Sequence, residues 1–139
     1  MKSLKSFILE ETEDSRREFV ILKPEFTDKD RDFEELLNNH GWKVIQKKKQ
    51  TLSKEKAEKL YAMHKHKPFY DALINYMSSG PCVCYSVFTD DKTKKDPVKD
   101  MSRIKDEVRK VWGKDDMKNA MHSSDSPENV TRETNICMN

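Results

Sequence analysis

The sequence is poor in most of the features that mark a specialised chain. Its 139 residues include only 3 glycines and 5 prolines, which excludes a loop-built, collagen-like or low-complexity protein. The 3 cysteines, Cys82, Cys84 and Cys137, form an odd set without metal-ligand spacing and read as reduced thiols of a cytoplasmic protein. No apolar run is long enough to span a bilayer and no signal-peptide core opens the chain, so no membrane partner is expected. Without a secretory signal, the glycosylation-type triplet Asn129-Val130-Thr131 reads as chance. Charge of one sign is missing too. The 27 basic and 25 acidic residues leave a net +2, too weak a field to gather nucleic acid. The lysine runs at 47–49 and 92–95 lack interleaved aromatics and read as solvated surface.

What is present suits one small domain with a heavily charged surface, since charged residues (37%) slightly outnumber hydrophobic ones (35%). Residues 1–16, polar apart from Phe7-Ile8-Leu9, read as an extension before a domain of residues 17–139. Glu18–Leu22 is a buried strand stopped by Lys23-Pro24. Thr27 or Asp28 caps a helix with Phe33, Leu36 and Leu37 on one face, closed by Gly41. Trp42–Gln50 is a second strand, with Trp42 and Val44 on one side. Ser53 caps the next helix, where Ala57, Leu60 and Tyr61 share a face. Pro68 starts another, carrying Phe69, Leu73, Tyr76 and Met77, until Gly80-Pro81 breaks it. Cys82–Phe88 is apolar at nearly every position, as a strand covered on both faces should be. A polar stretch, 89–99, leads to a helix over Lys99–Val111 that Gly113 ends. Asn119–Met121 is a short last strand leading into His122, and Ser126 caps a last helix that Pro127 starts. Strands alternating with helices, and few hairpin signals, imply an α/β sandwich of one sheet with helices packed on it.

Chemistry concentrates in Lys118–Ser126, where His122 ends a short apolar run and Ser123, Ser124, Asp125 and Ser126 follow. A histidine becomes a nucleophile when one ring nitrogen is exposed and a bond to the other sets its tautomer. Glu133, on the helix that follows, is a natural group to make that bond. Taken singly, Lys23 could be a strand-end surface lysine, Tyr61 and Phe69 core aromatics, Arg109 one charge on a solvated helix, Asn119 a turn residue and Glu133 a surface carboxylate.

Four separated pieces occur in an order that resembles the nucleoside diphosphate kinases from about Arg17 onward. They are Phe19-Val20-Ile21-Leu22-Lys23-Pro24, Tyr61 with Lys67-Pro68-Phe69, Ser79-Gly80-Pro81, and Lys118–Ser126 with its His-x-Ser-Asp-Ser signature and Glu133 behind it. The resemblance implies a ferredoxin-like sandwich with a four-stranded antiparallel sheet. It implies that His122 accepts the γ-phosphoryl group of ATP and passes it to a nucleoside diphosphate. Glu133 would hold the imidazole and Ser124 would bond it further. Lys23 and Tyr61 would flank the transferred phosphoryl, Arg109 would grip phosphates, Asn119 would meet the sugar hydroxyl, Phe69 would stack on the base and Leu73 would extend that wall. The Mg²⁺ cofactor would be held mainly by the nucleotide phosphates, with no metal ligand assigned to the chain.

The departures are also specific. The segment between Phe88 and Arg109 is shorter than in the family. No arginine stands in 89–99, where a second phosphate-binding arginine is expected; Lys92, Lys94 and Lys95 are the nearest cations, and Arg103 comes later. Lysine lacks the bidentate fork of arginine. Asp96-Pro97 is the trace of a base-covering loop, and Ser123 stands where a glycine follows the histidine. The chain stops at Asn139 with almost no tail, so among homo-oligomers a dimer is better supported than a hexamer. Two readings follow: an active kinase, or a kinase-like module that binds nucleotide or a protein partner without useful turnover.

Overall fold

The computed structural model describes residues 16–139. The extension expected over 1–16 therefore lies outside the described residues except for Arg16. That residue is tied to the domain: its Nε donates to the Thr89 carbonyl at 3.0 Å and its Nη2 to that of Lys94 at 3.1 Å.

Four strands and five α-helices follow in order among the described residues: β1 (Arg17–Leu22), α1 (Asp30–Asn39), β2 (Lys43–Gln50), α2 (Lys54–Leu60), α3 (Tyr70–Met77), β3 (Cys82–Phe88), α4 (Pro97–Trp112), β4 (Met121–Ser123) and α5 (Pro127–Cys137). The strands form one sheet in the order β2-β3-β1-β4, and every neighbouring pair is antiparallel. The helical crossovers read from the alternation are real. The unit β1-α1-β2 joins two strands of the same sense with β3 between them, and β3-α4-β4 does so with β1 between. Interleaving two such units makes all neighbours antiparallel, which is the ferredoxin-like arrangement.

Helices on both faces explain why β1 and β3 are apolar at consecutive positions. Phe19 and Ile21 pack into one core with Leu60, Leu73, Ile74 and Met77 of α2 and α3, and with Cys137 of α5. Val20 and Leu22 enter the other, against Phe33 and Leu37 of α1 and Met101, Ile104 and Val108 of α4. All four β1 side chains are fully buried, each worth roughly 1.5–3 kcal/mol on transfer from water. The three cysteines are buried free thiols. No helix among the described residues is long and apolar enough to cross a membrane.

Several boundaries depart from the sequence reading. Neither Thr27 nor Asp28 caps α1. They form a 3₁₀ turn, because burying Phe26 draws the chain into a tight bend in which Phe26 N–H donates to Lys23 C=O at 3.1 Å. Trp42 precedes β2 and is buried, its indole N–H donating to Asp100 at 3.0 Å, whereas Val44 is exposed. Trp42 lies outside the strand, so the alternation that would set it beside Val44 does not reach it; the strand's own bulge comes later, between Val44 and Gln46. The third helix starts at Tyr70, since the turn through Lys67 delays it past Pro68. Asp96 starts α4 earlier than expected by accepting Lys99 N–H at 3.1 Å, with Pro97 in the first turn. The caps expected of Ser53 and Ser126 are formed. Finally, β4 begins at Met121, which puts His122 at the centre of the strand rather than beyond it.

Candidate active site

β4 lies at the edge of the sheet, with His122 opposite Ile21. Side chains alternate along a strand, so the imidazole shares the face of Phe19 and Ile21, where the Phe19 ring stands 6.3 Å away. It lines a cavity of about 620 Å³. Its side chain is 15% exposed, enclosed but reachable.

Glu133 of α5 is buried, and its Oε1 makes a short hydrogen bond with His122 Nε2. An ionised carboxylate only accepts, so Nε2 carries the proton and Nδ1 keeps its lone pair. Burial lowers the imidazole pKa more than Glu133 raises it, with Lys23 and Lys105 adding to the depression. The ring is thus neutral at neutral pH, the form that can act as a nucleophile. Arg132 holds α5 against α2, donating to the Lys59 carbonyl at 2.8 Å.

Lys23, buried at the C-terminal end of β1, points its ammonium at Asn119 Oδ1 (2.8 Å) and the Met117 carbonyl (3.3 Å). Burial, then Arg109 and Lys105, push its pKa down to about 7. The backbone here is strained: Ala120 sits at φ +80°, yet its carbonyl accepts Lys23 N–H at 2.8 Å. Arg109 comes from α4 on the other side of the sheet. It reaches round the free edge of β4, donating to the Met121 carbonyl from Nε (3.3 Å) and Nη2 (3.1 Å).

The Tyr61 ring meets His122 edge-on at 5.4 Å, and its hydroxyl is buried with no partner among the described residues. A buried orphan donor aimed into a cavity suits an anionic oxygen. Phe69, 44% exposed, stands over the mouth with the His64 ring 5.9 Å away, and Leu73 lies behind it. Eight of the nine expected site residues therefore line one cavity: His122, Lys23, Tyr61, Glu133, Phe69, Leu73, Arg109 and Asn119.

Ser124 is the exception. The expected bond to His122 is not formed, and the buried Ser124 hydroxyl has no partner among the described residues. Its backbone N–H is taken instead by Glu18 Oε1 at 3.0 Å and the Phe19 carbonyl at 3.1 Å, which turns the residue away from the cavity. The sequence reading also missed Glu18, Lys105, His64 and Arg132. Lys105 carries the clearest signal, being one helical turn before Arg109. Glu18 carries none, because a carboxylate inside an apolar strand reads as its polar end.

For a divalent cation, the described residues offer no cluster of three ligating side chains. Asp116 and Asp125 line the cavity singly, a donor set that fits a metal carried in on phosphates better than one held by the protein.

Fold and pocket together define the class: a ferredoxin-like sandwich with a carboxylate-held histidine in a cation-lined cavity. The profile of the family described as nucleoside diphosphate kinase matches residues 16–139. A nucleoside diphosphate kinase of Rhodopseudomonas palustris is 32% identical over 125 residues, covering 85% of this chain and 89% of the relative. One from Ignicoccus hospitalis is 34% identical over 127 residues, 86% of each. Nucleoside diphosphate kinase homolog 7 of Rattus norvegicus is 30% identical over 132 residues, 88% of this chain but 33% of that longer protein. Among solved structures, the Aquifex aeolicus nucleoside diphosphate kinase superposes with a TM-score of 0.70 at 29% identity, covering 87% of this chain and 93% of the other. The Encephalitozoon cuniculi kinase, at 20% identity and a TM-score of 0.76, shares the fold. The chain belongs to the nucleoside diphosphate kinase family.

Proposed function

We propose that the protein is an active nucleoside diphosphate kinase working by two-step exchange through His122. The observation that carries this is the imidazole itself. One nitrogen is tied to Glu133, and the other is free inside a cavity shared with Lys23 and Arg109. In the first step Nδ1 attacks the γ-phosphorus of ATP; an N–P bond forms, the bond to the bridging oxygen breaks, and ADP leaves with the electron pair. In the second, a terminal oxygen of an acceptor diphosphate attacks the same phosphorus and the N–P bond breaks, returning neutral imidazole and a new triphosphate.

The protein's part is positioning and charge. Glu133 keeps Nδ1 unprotonated and stabilises positive charge growing on the ring. Lys23, Arg109 and the Tyr61 hydroxyl address the phosphoryl oxygens. Phe69 offers a face rather than base-edge donors, which suits several bases, and Asn119 faces the sugar. Mg²⁺ would neutralise the phosphates it arrives with, Asp116 or Asp125 being the side chains within the cavity that could meet it. In this proposal the kinase domain spans residues 17–139 and assembles as a homo-oligomer, a dimer before a hexamer.

The alternative, a binding module without useful turnover, is favoured by Ser123 beside the nucleophile and by the lack of arginine in 89–99. Exchange from ATP to a diphosphate, followed on wild type and His122→Ala, separates the two. The kinase reading expects turnover and a phosphorylated intact mass in wild type only. Equal background rates in both proteins would remove it.

A further inference from the structure

One cation in the cavity has no assigned task. Lys105 stands on α4 one turn before Arg109, so both side chains leave the same face of the helix and enter the same cavity as His122. It is half-buried. Among the described residues its ammonium makes no hydrogen bond and no ion pair. A comparably enclosed cation does find a partner: Lys94 pairs with Asp100 at 2.9 Å.

The charged groups around Lys105 do not supply a counterion. Arg109 repels it, and Asp106, Glu18 and Asp125 act on it only from beyond contact. Burial keeps Glu18 protonated, with its pKa pushed up to about 9. An unpaired ammonium, partly desolvated and facing a guanidinium, is unfavourable in the empty protein. It becomes favourable when a multiply charged anion fills the space. The geometry fits, since Lys105 and Arg109 approach from α4 while Lys23 approaches from β1, so the three enclose the cavity beside His122 from two directions.

We propose that Lys105 is a phosphate-binding residue of the nucleotide site, acting with Arg109 on the polyphosphate. This rests on the reading above that the cavity takes a nucleotide. It gives the shortened chain its further cation from the length of α4, rather than from the segment before it.

The test is calorimetric binding of Mg·ADP and of adenosine to wild type, Lys105→Ala and Lys105→Arg, with phosphorylation of His122 by ATP measured in parallel. Lys105→Ala should weaken Mg·ADP binding by about tenfold and slow phosphoryl transfer by on the order of 10-fold or more, leaving adenosine binding unchanged. Lys105→Arg should keep most of both, which separates charge from lost packing. Thermal unfolding checks that each variant is folded. If wild type binds Mg·ADP and Lys105→Ala binds it equally well, the proposal fails while the kinase reading stands. Weakening of adenosine to the same extent as Mg·ADP would also overturn it, since a phosphate contact cannot act on a ligand without phosphate. Weakened Mg·ADP binding without turnover in wild type would uphold Lys105 and remove the kinase reading. No Mg·ADP binding by wild type would remove both.

Discussion

At the scale of single residues, the site depends on which groups carry protons. Glu18 is fully buried on β1, its Oε1 accepting Phe19 N–H at 2.8 Å and Ser124 N–H at 3.0 Å, while Oε2 has no partner among the described residues. Burial is the main reason its pKa rises from 4.5 to about 9. Between those values the unfolded chain is ionised and the folded one is not, so folding takes up a proton. Stability from this group is therefore greatest below pH 4.5, falls as pH climbs, and levels off above 9. Glutamine cannot ionise in either state. Glu18→Gln should gain on wild type by on the order of 1–3 kcal/mol between pH 5 and 8 in denaturant titrations. Comparing the two proteins cancels the opposite trend from Lys23, whose lowered pKa adds stability as pH rises from about 7. Parallel pH profiles would show that Glu18 is ionised in the fold.

At the scale of elements, α4 does the most with the least sequence warning. It is anchored at one end by Asp96 and by the Trp42–Asp100 bond, packs Met101, Ile104 and Val108 into the core, and turns Lys105 and Arg109 to the cavity. Its end must be abrupt. A Cβ on Gly113 would lie 2.4 Å from the Arg109 carbonyl and 3.3 Å from the Asn119 backbone. That close approach brings the helix end beside the segment holding Asn119. Gly113→Ala should cost about 1–3 kcal/mol in thermal or denaturant unfolding, because backbone rather than a flexible side chain has to move. It should also weaken Mg·ADP binding, since Arg109 and Asn119 would shift together. A variant with wild-type stability and binding would show that the turn relaxes freely.

At the scale of the whole molecule, β2 ends the sheet and pairs on one side only, with β3. Lys43, Lys48 and the exposed Val44 and Ile45 lie along it. Lysines guard an edge against indiscriminate pairing, whereas neighbouring exposed apolar groups favour a specific contact. A dimer using this edge should show the mass of two chains in sedimentation equilibrium at micromolar concentration. The double variant Val44→Lys, Ile45→Lys should sediment as one chain with its fold intact. A monomeric wild type would end the dimer expectation.

Local sequence determined much of this protein. Consecutive apolar residues in β1 and β3 required cover on both faces; Ser53 and Ser126 placed helix starts through hydroxyls that accept a backbone N–H three residues on, and Pro127 through its fixed φ. The resemblance carried by Lys23, Tyr61, Phe69, His122 and Glu133 pointed to one site, because those groups keep their order and spacing along the chain. Tertiary structure alone decided the rest. Whether Phe26 bends the entry to α1, where Trp42 turns inward, how Glu18 draws Ser124 from the histidine, and that Lys105 faces a cavity without a counterion all depend on partners distant in sequence. A free energy of desolvation belongs to a place in the fold, and no window of residues contains it.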